Sequence, residues 1–113
     1  MFNLEEGVKQ GKSKAFDLFT KACDGGFALG CFNLGRMYDF GLGVPQDKFK
    51  AVELFTKACD GGVAGGCSML GVMYSKGESV RQDSNRAMEL FGKACDLRDE
   101  DGCKQYARMK GAR

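Results

Sequence analysis

Histidine is absent from this chain of 113 residues. Without an imidazole no Ser-His-Asp or Cys-His arrangement can be assembled, and a catalytic zinc site loses its usual ligand. An excess of one charge is missing too. The 17 basic and 15 acidic side chains interleave to a formal +2, which leaves no broad field to attract phosphate backbones or an anionic membrane. No apolar run approaches the roughly 18 residues that span a bilayer, and Met1 to Glu6 lack the basic start and apolar stretch of a signal peptide. The expectation is a chain with no nucleic-acid partner and no membrane span. No C-x-x-C occurs, which argues against a thiol redox role. At 43% hydrophobic, the chain is long enough for one domain and short for two.

What it does have is cysteine, six in all, and they recur with little variation. KACDGGFALGC at 21–31 returns as KACDGGVAGGC at 57–67 and as KACDLRDEDGC at 93–103. Cys23, Cys59 and Cys95 are 36 residues apart (59 − 23 and 95 − 59), as are Cys31, Cys67 and Cys103. Ala15, Leu18, Phe19, Lys21 and Ala22 keep the same interval with their later copies. A period of this length belongs to a solenoid of stacked supersecondary units. Within one period Ala51, Leu54, Phe55 and Ala58 fall at i, i+3, i+4, i+7, and Cys67, Leu70, Gly71 and Tyr74 repeat those offsets. Each period therefore reads as two amphipathic helices. Gly61-Gly62 suits the first helix's C-terminus, and Gly41, Gly43, Pro45 and Asp47 mark the return, with Asp47 a candidate N-cap. The spacing predicts helices over about 12–23, 27–40, 48–59, 63–76, 84–95 and 99–110. Gly35 and Gly71 fall inside helices, where glycine costs about 1 kcal/mol against alanine, so a neighbouring backbone or a ring such as Phe19 or Phe55 should approach there. The fold class is all-α, an α/α superhelical solenoid of 36-residue helix-turn-helix repeats.

The stretch Leu34 to Asp47, Leu-Gly-x-x-Tyr-x-x-Gly-x-Gly-Val-x-x-Asp, followed by Ala51 to Gly62, resembles the SEL-one-like repeat, a relative of the tetratricopeptide repeat. The added cysteine pair resembles the Helicobacter cysteine-rich subgroup. This likeness runs over about residues 12–110. It divides a single repeat domain, 1–113, into a remnant of a preceding repeat (1–11) and repeats at 12–47, 48–83 and 84–113, the last shortened. Met1-Phe2 aligns with Met37-Tyr38, so the chain reads as starting midway through a repeat, with an unpartnered N-terminal helix that favours self-association or marks a truncation. Ser79 departs from the pattern where a turn glycine is expected. The resemblance implies a secreted or periplasmic protein, disulfide-bridged, and penicillin-binding or weakly β-lactamase-active. The missing signal peptide then implies a mature form or a piece of a longer chain.

If Cys23 ends one helix and Cys31 begins its antiparallel neighbour, the two come within bridging distance, and the pairing expected is Cys23–Cys31, Cys59–Cys67 and Cys95–Cys103. Loops of about nine residues give about 2.5 kcal/mol per bridge. Zinc is the competing reading, weakened by C-x₇-C spacing where structural sites use short knuckles. Reduced cysteines serving as small core residues are the other. No metal or cofactor is expected.

For β-lactam chemistry the serine enzymes use S-x-x-K, S-D-N and K-T-G. Ser13-Lys-Ala-Phe, Ser68-Met-Leu-Gly, Ser75-Lys-Gly and Asp83-Ser-Asn reproduce none of them. Catalytic residues stay unassigned, and hydrolysis rests on the resemblance alone. Asp17/Lys21, Glu53/Lys57 and Glu89/Lys93 are read as i, i+4 pairs on a solvated face. In the tetratricopeptide superhelix the helix with Leu-Gly-x-x-Tyr lines the concave groove. Carried across, that geometry implies a groove of Phe32, Arg36, Asp39, Ser68, Val72, Ser75, Lys76, Lys104 and Arg108, positions that vary between copies. Lys104 and Arg108, one turn apart, could hold a carboxylate. The ligands implied are a protein or peptide, a peptidoglycan-derived fragment or a β-lactam. The favoured function is a scaffold binding through that groove, the alternative a slow β-lactam hydrolase.

Overall fold

The computed structural model of the chain describes residues 4–111, with side chains described from residue 11 onward. Met1 and Phe2 lie outside the described residues. Six helices follow one another: α1 Leu4–Asp24, α2 Ala28–Phe40, α3 Lys48–Asp60, α4 Ala64–Lys76, α5 Ser84–Asp96 and α6 Glu100–Gly111. They stack into a body of 60 × 24 × 21 Å, each helix packed on its sequence neighbours, as a solenoid requires. Five of the predicted helices match to within about one residue. The exception is α1, which begins at Leu4 and not near residue 12. Repeat alignment places 5–11 opposite the turn 41–47, but Lys9 stands where that turn has Pro45, and nothing there stops a helix.

The return turns are built alike. Asp47 and Asp83 accept the backbone N–H of Lys50 and Arg86 at 3.0 Å, capping α3 and α5. Gly41 and Gly77 close α2 and α4 in the left-handed conformation. Gln46 and Gln82 then donate their side-chain amides to the carbonyls of Asp39 and Ser75, at 2.7 and 2.9 Å, fastening each turn to the helix before it.

Within each hairpin the helices close tightly, and glycine permits it. A Cβ on Gly30 would stand 2.6 Å from the Ala22 methyl, and one on Gly66 or Gly102 would meet Ala58 or Ala94 as closely. These three glycines each precede the second cysteine of a pair. All six cysteines are joined as expected, Cys23–Cys31, Cys59–Cys67 and Cys95–Cys103, across Cα separations of 4.4 to 4.6 Å. With every cysteine paired, no free thiol is left.

Between hairpins, Phe55 packs into the space at Gly35 and Phe91 into that at Gly71, 2.8 to 2.9 Å from where a Cβ would sit. The core runs along this seam: Ala51, Phe55, Cys59, Cys67, Leu70, Met73, Leu90 and Ala94 form one cluster. Cys23, Cys31, Leu34, Leu54 and Ala58 form another beside it. The surface pairs differ from the expected i, i+4 set. Glu53 and Glu89 pair back to Lys50 and Arg86 at i, i−3, while Lys93 reaches Asp60 on the preceding first helix, 3.9 Å away. The turn-entry cations lie on the carboxylates' side of the helix, and both pairs are too exposed to matter much to stability.

Candidate ligand groove

The nine groove positions lie on α2, α4 and α6, the second helices of the three hairpins. Four of them converge. Val72, Ser75 and Lys76 from α4 and Arg108 from α6 line one hollow of about 210 Å³, together with Phe91 and Gln105. Phe91 forms its floor because the glycine at 71 lets that ring under α4. Phe91 keeps the repeat interval of Phe19 and Phe55 and is itself buried, and neither it nor Gln105 is among the nine expected positions. The signal for Gln105 was its place one turn before Arg108, whose guanidinium donates to its Oε1 at 2.5 Å.

The other five are engaged differently. Phe32 lays its ring over Gly65 and beside Phe55, with centroids 5.9 Å apart, so it fills the space between α2 and α4. Arg36 lies over that ring at 5.9 Å, a weak cation–π contact at an exposed site. Ser68 donates its hydroxyl to Asp99, whose same oxygen accepts the N–H of Gly102 and caps α6. Lys104 reaches Glu100 at 3.5 Å and does not line the hollow. Arg108 therefore shares the hollow with Lys76 and not, as expected, with Lys104.

Asp39 is buried and committed. Its Oδ1 accepts from Lys48 Nζ at 2.8 Å, and the same ammonium approaches Glu78 at 3.4 Å, so one lysine ties the end of α2 to the next turn along the stack. The hydrogen bond to Asp39 raises the Lys48 pKa above its usual value, against the opposing effect of burial. A side chain so held positions the scaffold and does not face a ligand.

A larger hollow, about 420 Å³, lies between α5 and α6 and is lined by Met88, Glu89, Gly92, Lys93, Cys95, Asp96 and Tyr106. Their counterparts one repeat earlier include Cys59 and Leu70, both buried under α5. Here Tyr106 closes over Gly92, 3.1 Å from where a Cβ would be. This hollow is the outer face of the last hairpin. No group of three or more His, Cys, Asp or Glu among the described residues could hold a metal ion.

Stapled α-hairpins at a 36-residue period, with a variable face along their second helices, define a disulfide-bridged solenoid repeat protein. The Sel1 repeat model matches residues 1–27, 28–63 and 64–99, and the chain belongs to that family. Each complete match starts at a second helix and ends after the following first helix. Among solved structures the chain is similar to cysteine rich protein B of Helicobacter pylori, at 36% identity and TM-score 0.80, over 82% of this chain and 70% of that one. A Sel1 repeat protein from Oxalobacter formigenes matches at 28% identity and TM-score 0.79, over 82% of this chain and 38% of its own. A protective antigen present in uropathogenic Escherichia coli strains matches at 32% identity and TM-score 0.79, over 83% and 20%. The chain thus spans much less than the whole of the latter two. No curated protein matches.

Proposed function

We propose that this chain is a binding scaffold of an oxidising compartment, secreted or periplasmic, which takes a peptide or a segment of a partner protein along the face of α2, α4 and α6. The observation that carries this reading is the hollow between α4 and α6, where Val72, Ser75, Lys76 and Arg108 meet on positions free of the repeat template. Three disulfides support the compartment, since such bonds persist where thiols are not kept reduced. A rigid scaffold lowers the ordering cost that association otherwise carries.

The test is selection of a displayed random peptide library on the oxidised protein, repeated with Val72→Arg. Peptides that bind the parent and lose at least tenfold with the variant support the groove; peptides indifferent to it, or none selected, overturn it. The alternative suggested by the subgroup resemblance is β-lactam binding with slow hydrolysis, for which Ser75 beside the cations of the hollow is the serine to examine. Saturable turnover of a chromogenic cephalosporin, lost with Ser75→Ala, would replace the scaffold reading.

A further inference from the structure

The face of α2, α4 and α6 is not uniform along the stack. On α2 it carries Leu29 and Phe40, both exposed, with Phe32 between them. The equivalent residues on α4 are Gly65, Ser68 and Lys76, and on α6 the first two become Asp101 and Lys104. Among the described residues seven large hydrophobics are exposed; six fall between Leu18 and Phe49, Leu29 and Phe40 on this face among them, and one, Leu97, lies beyond. An apolar end therefore passes into a charged end.

At the charged end two cations, Lys76 and Arg108, border one hollow. Lys48, Lys50, Arg86, Lys93 and Lys104 each have a carboxylate within 4 Å. Lys76 and Arg108 have none among the described residues, as is true of Lys57, Arg81, Arg98 and Lys110, but of these six only Lys76 and Arg108 border the hollow. Arg108 is held by a neutral partner, the Gln105 amide oxygen, which fixes its direction without neutralising it. Beneath them are Val72 and Phe91, an apolar floor, and Ser75 supplies a hydroxyl at the wall. About 210 Å³ holds one amino-acid side chain, too little for a drug-sized ligand of the usual 300 Å³ and more.

We infer that the ligand of this groove is an acidic peptide, bound with a carboxylate between Lys76 and Arg108, the aliphatic part of that residue on Phe91 and Val72, and an apolar segment against Leu29 and Phe40 of α2. This rests on the groove reading above and adds the polarity and direction of what the groove holds. A carboxylate there takes charge-assisted bonds from a planar guanidinium already oriented and from a mobile ammonium opposite. The apolar end accounts for large side chains otherwise left in water. The carboxylate belongs either to an Asp or Glu side chain or to the peptide's own C-terminus, and the experiment separates the two.

The probe is a fluorescein-labelled dodecapeptide with Leu and Phe in its first half and Asp and Glu in its second, measured by anisotropy against the oxidised protein. Binding should weaken at least tenfold when the acids become Asn and Gln, or when the C-terminus is amidated, according to which carboxylate is used. It should also weaken as salt rises. Lys76→Glu with Arg108→Glu should reverse the preference, so that a Lys-rich peptide of the same apolar half binds better than the acidic one. Leu29→Ser with Phe40→Ser should weaken binding with the salt dependence unchanged. A gain of binding to the basic peptide cannot come from misfolding. Equal binding of acidic, neutral and basic peptides, all sensitive to Val72→Arg, would overturn this inference and leave the groove standing. Insensitivity to Val72→Arg would remove both.

Discussion

Leu18, Leu54 and Leu90 hold one position in successive first helices, yet Leu18 is 64% exposed and the other two 3%. The residue is the same, and what differs is the helix laid against it: Leu54 lies under α2, where its Cβ is 3.3 Å from a Cβ built on Gly35. Leu54→Ala should cost about 2 to 5 kcal/mol and Leu18→Ala less than about 1, read as midpoints of urea unfolding. Equal losses would mean that α1 is covered in solution. The same comparison across copies explains a strained residue. Gly26 and Gly62 adopt positive φ of 91° and 90°, and the third copy puts Arg98 there at 71°. A left-handed side-chain residue carries about 1 kcal/mol of strain, so Arg98→Gly should raise stability by about 0.5 to 1 kcal/mol. The sequence already contains this departure, in DLRD for DGGF or DGGV. It does not contain the compensation, since Asp99 caps α6 while bonding Ser68 from the neighbouring helix.

At the level of helices and turns, the 36-residue interval was enough to place five of six helices and all three cysteine pairs. The pattern failed where it relied on likeness of position alone. Residues 5–11 align with a turn but contain no proline, and α1 runs through them. Asp39 looked like a groove residue because it falls on the correct side of α2, and only the stacking of α3 reveals that Lys48 takes it. That pair gives a prediction of its own. Because Asp39 raises the Lys48 pKa, the folded state holds this proton more tightly than the unfolded chain. Its stabilising contribution is therefore whole below the ordinary lysine value of about 10.5 and disappears as pH rises through the higher folded value. Lys48→Met leaves the buried carboxylate without its cation and should cost about 1 to 2 kcal/mol at neutral pH, the partial exposure of Lys48 keeping the loss below that of a fully buried pair. Thermal melts of parent and variant should differ by a constant amount up to about pH 10 and converge above it. A gap that does not narrow as the lysines titrate would show that the loss does not come from the charged Lys48–Asp39 pair.

Over the whole molecule, 60 Å long and only 24 by 21 Å across, the interior is thin, and no residue is far from water. A stack of this shape cannot rely on burial alone. Three bridges closing loops of about nine residues contribute about 7 kcal/mol, comparable with the net stability of a small domain. They are not equally protected. Cys23, Cys31, Cys59 and Cys67 are buried, whereas Cys95 and Cys103 are partly exposed, and Cys95 borders the outer hollow beneath Tyr106. Thiol–disulfide exchange requires access to sulfur, so the third bridge should open first. Limited reduction of the native protein, quenched with an alkylating reagent and mapped by mass, should label Cys95 and Cys103 well before the other four. The singly reduced species should melt lower than the parent but still cooperatively, because α6 packs chiefly on α5 and the first two hairpins keep their staples. Complete reduction should abolish the transition near neutral pH. If the fully reduced chain melted as high as the oxidised one, the thin core would be sufficient by itself, and the bridges would be ornaments on a fold that needs none of them.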